Sequence, residues 1–294
     1  MLDTTVSIFS FLRRKLFGEP SPKVAVVRLY GVIAAGGRFK QNINLASVAE
    51  QLEQAFDLRG LSAVALLINS PGGSPVQSAL ILKRIRDLAQ EKDVPVLAFA
   101  EDVAASGGYM LALAGDEIYG NPSSIVGSVG VVSSGFGFKQ VMEKIGVERR
   151  LYTSGESKAM LDAFQDEKEE DVARLKEIQQ DIHEHFKGLV RERRGKRLKG
   201  LRSKLFSGEV FTGQEAVKLG QIDGIGDVRT VLRSRFGDKV KMRLISEKKP
   251  RLSGLLGLAS QGGDSHSGIG RVADMPHTML AAVEERLYWN KFGL

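Results

Sequence analysis

Residues 64–73 read VALLINSPGG. The run Val64–Ile68 has no polar alternation, the pattern of a strand covered on both faces in the middle of a parallel sheet. Asn69, Ser70, Pro71, Gly72 and Gly73 then break it, and Pro-Gly-Gly is a tight turn with freedom in φ. From Val76 to Ala89 the apolar positions Leu80, Ile81, Ile85 and Leu88 fall on one side of a helix. Strand, glycine turn and helix in this order place the chain in the α/β class. A glycine turn at such a junction can aim backbone N–H groups at a carbonyl oxygen.

A second unit of the same kind follows. The buried strand Val94–Ala100 (VPVLAFA) leads to DVAASGGYMLALAG, which sets Ser106 between two alanines and two glycines with an apolar helical run behind it. Small neighbours let a substrate backbone come close. A serine that opens a helix also has free N–H groups beside it, which can stabilise an oxyanion. The plainer reading of Ser106 is an N-cap serine closing a buried helix. A nucleophilic serine needs a base; no convincing His/Asp partnership is present, and the search turns to lysine.

INSPGG (Ile68–Gly73), ASGGY (Ala105–Tyr109), GSVGVV (Gly127–Val132) and SGESKAMLDAF (Ser154–Phe164) together resemble the bacterial signal peptide peptidase A family, serine proteases with a Ser/Lys dyad on the Clp-protease/crotonase fold. GEVFTGQEAVKLGQIDGIG (Gly208–Gly226) resembles that family's closing stretch. INSPGG identifies the wider fold. Ser106, Ser128 and Lys158 at their mutual spacing are the specific part, and the short single-copy form resembles the SohB-type branch. The resemblance implies an α/β spiral of repeated strand-strand-helix units. It implies Ser106 as nucleophile, Lys158 as general base, and Ser128 orienting the lysine amine. The N–H groups of Gly73 and Gly107 would form the oxyanion hole, with Gly72 shaping the turn. A lysine is a base only when neutral, so its ammonium form must be disfavoured by desolvation; Ala159, Met160, Leu161 and Phe164 supply apolar neighbours, while Glu156 and Asp162 oppose the effect if close.

The further elements read as a strand at Lys23–Ile33, a loop at 34–42 and a helix at Leu45–Ala55. A helix is expected at Gly107–Ala114, short strands at Asp116–Gly120 and Gly127–Val132, a helix at Phe138–Ile145 and a strand at Glu148–Thr153. A long helix, Asp166–Arg194, carries Val172, Leu175, Ile178, Ile182, Phe186 and Leu189 on one stripe. This organisation divides into a tail at 1–22, a Ser/Lys peptidase domain at 23–236, and a C-terminal extension at 237–294. The extension holds a strand-like piece, a flexible linker (Gln261–Gly270) and a terminal helix (Met279–Leu294).

Composition narrows the function classes. The chain has no cysteine, which excludes disulfides and thiolate metal sites. His183 and His185 stand at i, i+2, which puts them on different helix faces and argues against a metal site. No metal or organic cofactor is implied. The N-terminal run Val6–Leu12 is far shorter than the roughly 20 residues of a membrane span and lacks the order of a signal peptide. Its mixture of Ile8, Phe9, Phe11, Leu12 with Arg13, Arg14 and Lys15 is compatible with peripheral membrane contact. The resemblance implies a bacterial protein, and these features lead to an expectation that it is cytoplasmic or peripherally membrane-associated. The net charge of +7 concentrates in Arg191–Lys204, RERRGKRLKGLRSK. No aromatic residues interleave there, so no nucleic acid is expected and a solvated helix end is the plain reading.

The expected activity is endopeptidase cleavage of apolar peptides such as signal-peptide remnants. The resemblance implies a homo-oligomeric ring whose sites take serine and lysine from neighbouring copies. The alternatives are an acyl-CoA enzyme of the crotonase type and an inactive assembly protein.

Overall fold

The computed structural model describes residues 21–35, 42–155, 157–246, 286 and 289–292. The N-terminal tail, most of the 34–42 loop, the 261–270 linker and most of the expected terminal helix lie outside these residues. Among the described residues the strands are β1 (Lys23–Tyr30), β2 (Leu61–Ser70), β3 (Val96–Ala105), β4 (Glu117–Gly120), β5 (Ile125–Gly127), β6 (Val210–Thr212), β7 (Gly224–Ile225) and β8 (Lys241–Leu244). They form one sheet ordered β6-β5-β3-β2-β1-β8, with β4 beside β3 and β7 beside β4. Every pair is parallel except β5 with β6.

The helices are α1 (Leu45–Phe56), α2 (Pro75–Lys92), α3 (Gly107–Ala112), α4 (Lys139–Ile145), α5 (Glu169–Arg194), α6 (Arg202–Leu205), α7 (Gly213–Lys218) and α8 (Val228–Phe236). Successive strand residues point to opposite faces, and both faces are covered. Val64, Leu66 and Ile68 of β2 enter the larger core with α1, α2, α3 and α5. Ala63, Ala65 and Leu67 pack with Leu232 of α8 on the other face. That is why β2 reads as an unbroken apolar run.

Two expected strands differ in the structure. Gly127–Val132 is not a strand: β5 is Ile125–Gly127, held between Val103–Ala105 of β3 and the antiparallel β6. Ser128 has φ 53° and its N–H donates to the Glu209 carbonyl at 2.7 Å, so the chain turns out of the ladder there. Glu148–Thr153 is not a strand either. Its residues are exposed, and no strand among the described residues pairs with it. The piece after Phe236 does form a strand, β8, which joins the sheet beside β1.

Most of the basic run is exposed, as a solvated helix end would be, but Arg193 and Arg194 are not. Arg193 donates to the carbonyls of Leu113 (2.8 Å) and Gly115 (3.1 Å) behind α3. Arg194, only 2% exposed, donates to the Gly220 carbonyl and forks onto Asp223 at 2.7 and 3.0 Å. Arg197 reaches the Asp116 carbonyl. Arg193 ties the end of α5 to the residues that follow the serine-bearing helix, and Arg194 and Arg197 tie it to Gly220, Asp223 and Asp116.

Candidate active site

Ser106 ends β3 and opens α3. Its backbone sits at φ 53°, ψ −122°, a conformation that costs a non-glycine residue about 1–3 kcal/mol and persists only where surroundings impose it. Two bonds impose it: the Ser106 N–H donates to the Gly127 carbonyl at 2.8 Å, and the Ser106 carbonyl accepts from Met110 at 3.0 Å. Ser106 is the N-cap residue of the buried α3, but its hydroxyl makes no capping bond. Gly108 is required by close approach, since a Cβ there would stand 2.3 Å from the Ser70 carbonyl oxygen.

The Pro-Gly-Gly turn lies directly against this serine. A Cβ on Gly72 would come within 2.8 Å of Ser106 Cβ and 2.7 Å of the Gly107 nitrogen. Gly73, at φ 135°, forms a bridge with Ile33 in which Ile33 N–H donates to Gly72 and Ser74 N–H donates to Ile33. The Gly73 N–H takes no part in that bridge. Gly107 is the first residue of α3, so its N–H has no intrahelical acceptor. The two groups are close: a Cβ on Gly107 would lie 3.3 Å from the Gly73 nitrogen. Asn69 and Ser70 hold the loop. Asn69 donates to Asp102 at 2.6 Å and accepts from Val103, and Ser70 Oγ accepts from Gly72 N–H.

Ser128 is brought beside Ser106 because Ala105 pairs with Gly127 across β3 and β5. It is 7% exposed. In the sequence, His183 bears only on a metal site, which its spacing to His185 argues against. In the structure its Nε2 lies 3.0 Å from the Val129 carbonyl oxygen, one residue past Ser128. The side chain of His185 instead faces a groove of about 1160 Å³ between α2 and α5.

Lys158 stands apart. It is exposed, in a turn segment between α4 and α5, and its N–H donates to the Gly155 carbonyl. Among the described residues its ammonium makes no ion pair, and no hydrogen bond links it to Ser106 or Ser128. The segment is fastened to its own surroundings by the Arg149–Asp162 ion pair, the Phe138–Phe164 ring contact at 5.6 Å and the Phe138 N–H bond to Ala163. The structure thus gathers Ser106, Ser128, Gly72, Gly73 and Gly107, and leaves Lys158 exposed in a segment with no bond to either serine among the described residues.

Together, the fold and the serine at the strand–turn–helix junction define a protein of the Clp-protease-like α/β class. The model of peptidase family S49 matches residues 88–240. A Synechocystis sp. protein named as a protease is 31% identical over 246 residues, covering 81% of this chain and 84% of its own length. The chain belongs to peptidase family S49. A Brucella abortus protein named as a Na(+)/H(+) antiporter is 51% identical over 283 residues, or 95% of this chain, yet the chain spans only 38% of that relative's length. Among the described residues no helix is long and apolar enough to cross a membrane. The fold is similar to that of a solved mutant of a membrane-bound stomatin-specific protease in complex with a substrate peptide, with a TM-score of 0.50 at 15% identity over 81% of this chain and 97% of that one.

Proposed function

We propose that this chain is a serine endopeptidase acting on apolar peptides through Ser106 and Lys158. The observation that carries the reading is the strained Ser106, packed against the Gly72–Gly73 turn with buried Ser128 on the adjacent strand end. Ser106 Oγ attacks the scissile carbonyl while neutral Lys158 takes its proton. The oxyanion that forms accepts from the N–H groups of Gly73 and Gly107. Lys158 then returns the proton to the leaving amine, and water, deprotonated by the same lysine, releases the acyl group from Ser106. Ser128 orients the lysine amine.

One protomer exposes Lys158, so it does not desolvate it. The arm around it exposes apolar side chains in number, Phe136 at 77% and Tyr152 at 89% among them. We therefore read the working enzyme as a closed homo-oligomer in which the arm of one copy brings Lys158 to Ser106 of the next. The N-terminal tail is read as a peripheral membrane contact. Mixing Ser106→Ala with Lys158→Ala protein tests both parts. Partial recovery of cleavage of a fluorogenic apolar peptide is expected after subunit exchange. Recovery absent after verified exchange sinks the shared site, and normal turnover by Lys158→Ala sinks the dyad.

A further inference from the structure

We propose that His183 is a positioning residue for Ser128. This rests on the Ser106/Lys158 reading for its catalytic consequence, but its geometry stands independently. His183 projects from the middle of α5, half-buried, and its Nε2 lies 3.0 Å from the Val129 carbonyl oxygen. A carbonyl only accepts, so Nε2 carries the proton and the ring is the donor in either charge state. Val129 is fully buried.

The turn that this bond grips is the one that aligns the serines. Gly127 accepts from the Ser106 N–H at 2.8 Å, Ser128 donates to Glu209 at 2.7 Å and accepts from Gly130 at 2.9 Å, and Val129 takes the histidine. Ser128 lies in the left-handed region, which a serine leaves readily unless it is held. Gln221 packs against the same turn: its buried Oε1 would be 3.1 Å from a Cβ on Gly127. Backbone bonds hold the turn at residues 127, 128 and 130. The histidine supplies a side-chain clamp, and it comes from an element outside the sheet. A displacement of the Ser128 hydroxyl by about 1 Å is enough to cost on the order of 100-fold in rate.

The experiment uses the full chain with His183→Ala, His183→Gln and, as control, His185→Gln. Glutamine keeps an N–H donor near the position of Nε2. Two readouts are taken: the rate of Ser106 labelling by a fluorophosphonate, and hydrogen exchange of the amides of Ser106 and Gly130. His183→Ala should label about 10- to 100-fold more slowly and exchange those two amides faster. His183→Gln should recover most of both, and His185→Gln should match the unsubstituted chain. Unchanged exchange in His183→Ala overturns the clamp, whatever the nucleophile proves to be. Equal loss in the alanine and glutamine variants also overturns it, because that is a packing effect. If Ser106→Ala is labelled as fast as the unsubstituted chain, the nucleophile assignment falls, and the exchange data alone then decide for or against the clamp.

Discussion

The surroundings of Ser106 are nearly free of solvent, and those of Lys158 are nearly all solvent. Ala104, Ala105, Gly107, Gly108 and Ser128 are buried at the ends of two paired strands, and even the backbone strain at Ser106 is held by bonds on both sides. None of the described residues from 131 to 168 is buried, although the stretch includes Val132, Phe136, Val141, Ile145 and Tyr152. Apolar side chains left in water are an unsatisfied driving force for association. On the proposed reading, folding completes the half of the site that holds the nucleophile and the oxyanion donors, and assembly delivers the basic half.

The sharpest way to break this contrast is at the two side chains themselves. Ser106→Ala and Lys158→Ala should each lower peptide cleavage by on the order of 10,000-fold, with the double variant little worse, because members of a catalytic unit do not contribute additively. Thermal unfolding of each protomer should be almost unchanged. A double variant far worse than either single one would separate their roles.

Next in size is the fold behind the serine. Asp223→Asn should cost about 3–5 kcal/mol, because it leaves the guanidinium of Arg194 buried without its counter-charge. Burial alone would raise the Asp223 carboxyl, but the Arg194 fork and the Ile118 N–H more than offset it and hold it below the ordinary carboxylate range. A lowered folded value means that the contribution is complete above the unfolded value of about 3.9 and is lost as pH falls through the folded one. Acid titration of thermal stability should therefore show a decline below about pH 4 that is reduced in Asp223→Asn. An identical decline in both proteins would remove this pair from the acid response.

Gly73→Ala should abolish labelling of Ser106 at a smaller cost in stability. Its Cβ would fall 2.0 Å from the Ile33 carbonyl oxygen, at a φ of 135° that side chains avoid, so the turn must shift. The strain is about 1–3 kcal/mol. Labelling at the normal rate would show that the turn does not shape the site.

The smallest expected effect on protomer stability, within about 0.5 kcal/mol, belongs to Phe136→Ser with Tyr152→Ser. The same pair should weaken self-association in sedimentation and lower cleavage in parallel. Unchanged mass and unchanged cleavage would take the arm out of the interface.

What could be read along the chain was what depends on near neighbours. The unbroken run at Val64–Ile68, the helical stripe at 76–89 and the glycines beside Ser106 express pleat, period and steric contact, all short-range, and the structure has β2, α2 and the serine junction where those patterns lie. The resemblance to a family then joined Ser106, Ser128 and Lys158, which composition and periodicity alone could not do. Tertiary structure decided the rest. The end of β5 at Gly127 depends on β6, more than eighty residues away, whose neighbour Glu209 draws Ser128 out of the ladder. Residues 148–153 have the composition of a strand but no partner strand among the described residues, and a strand without a ladder is not formed. Arg193 and Arg194 read as part of a solvated charge run because a sequence displays their charge but not the carbonyls of Leu113, Gly115 and Gly220 that receive them. His183 carried no local signal, since its partner is a backbone oxygen from a distant loop. Local sterics specify elements, whereas acceptors, counter-charges and desolvation come from residues that only the folded chain brings together.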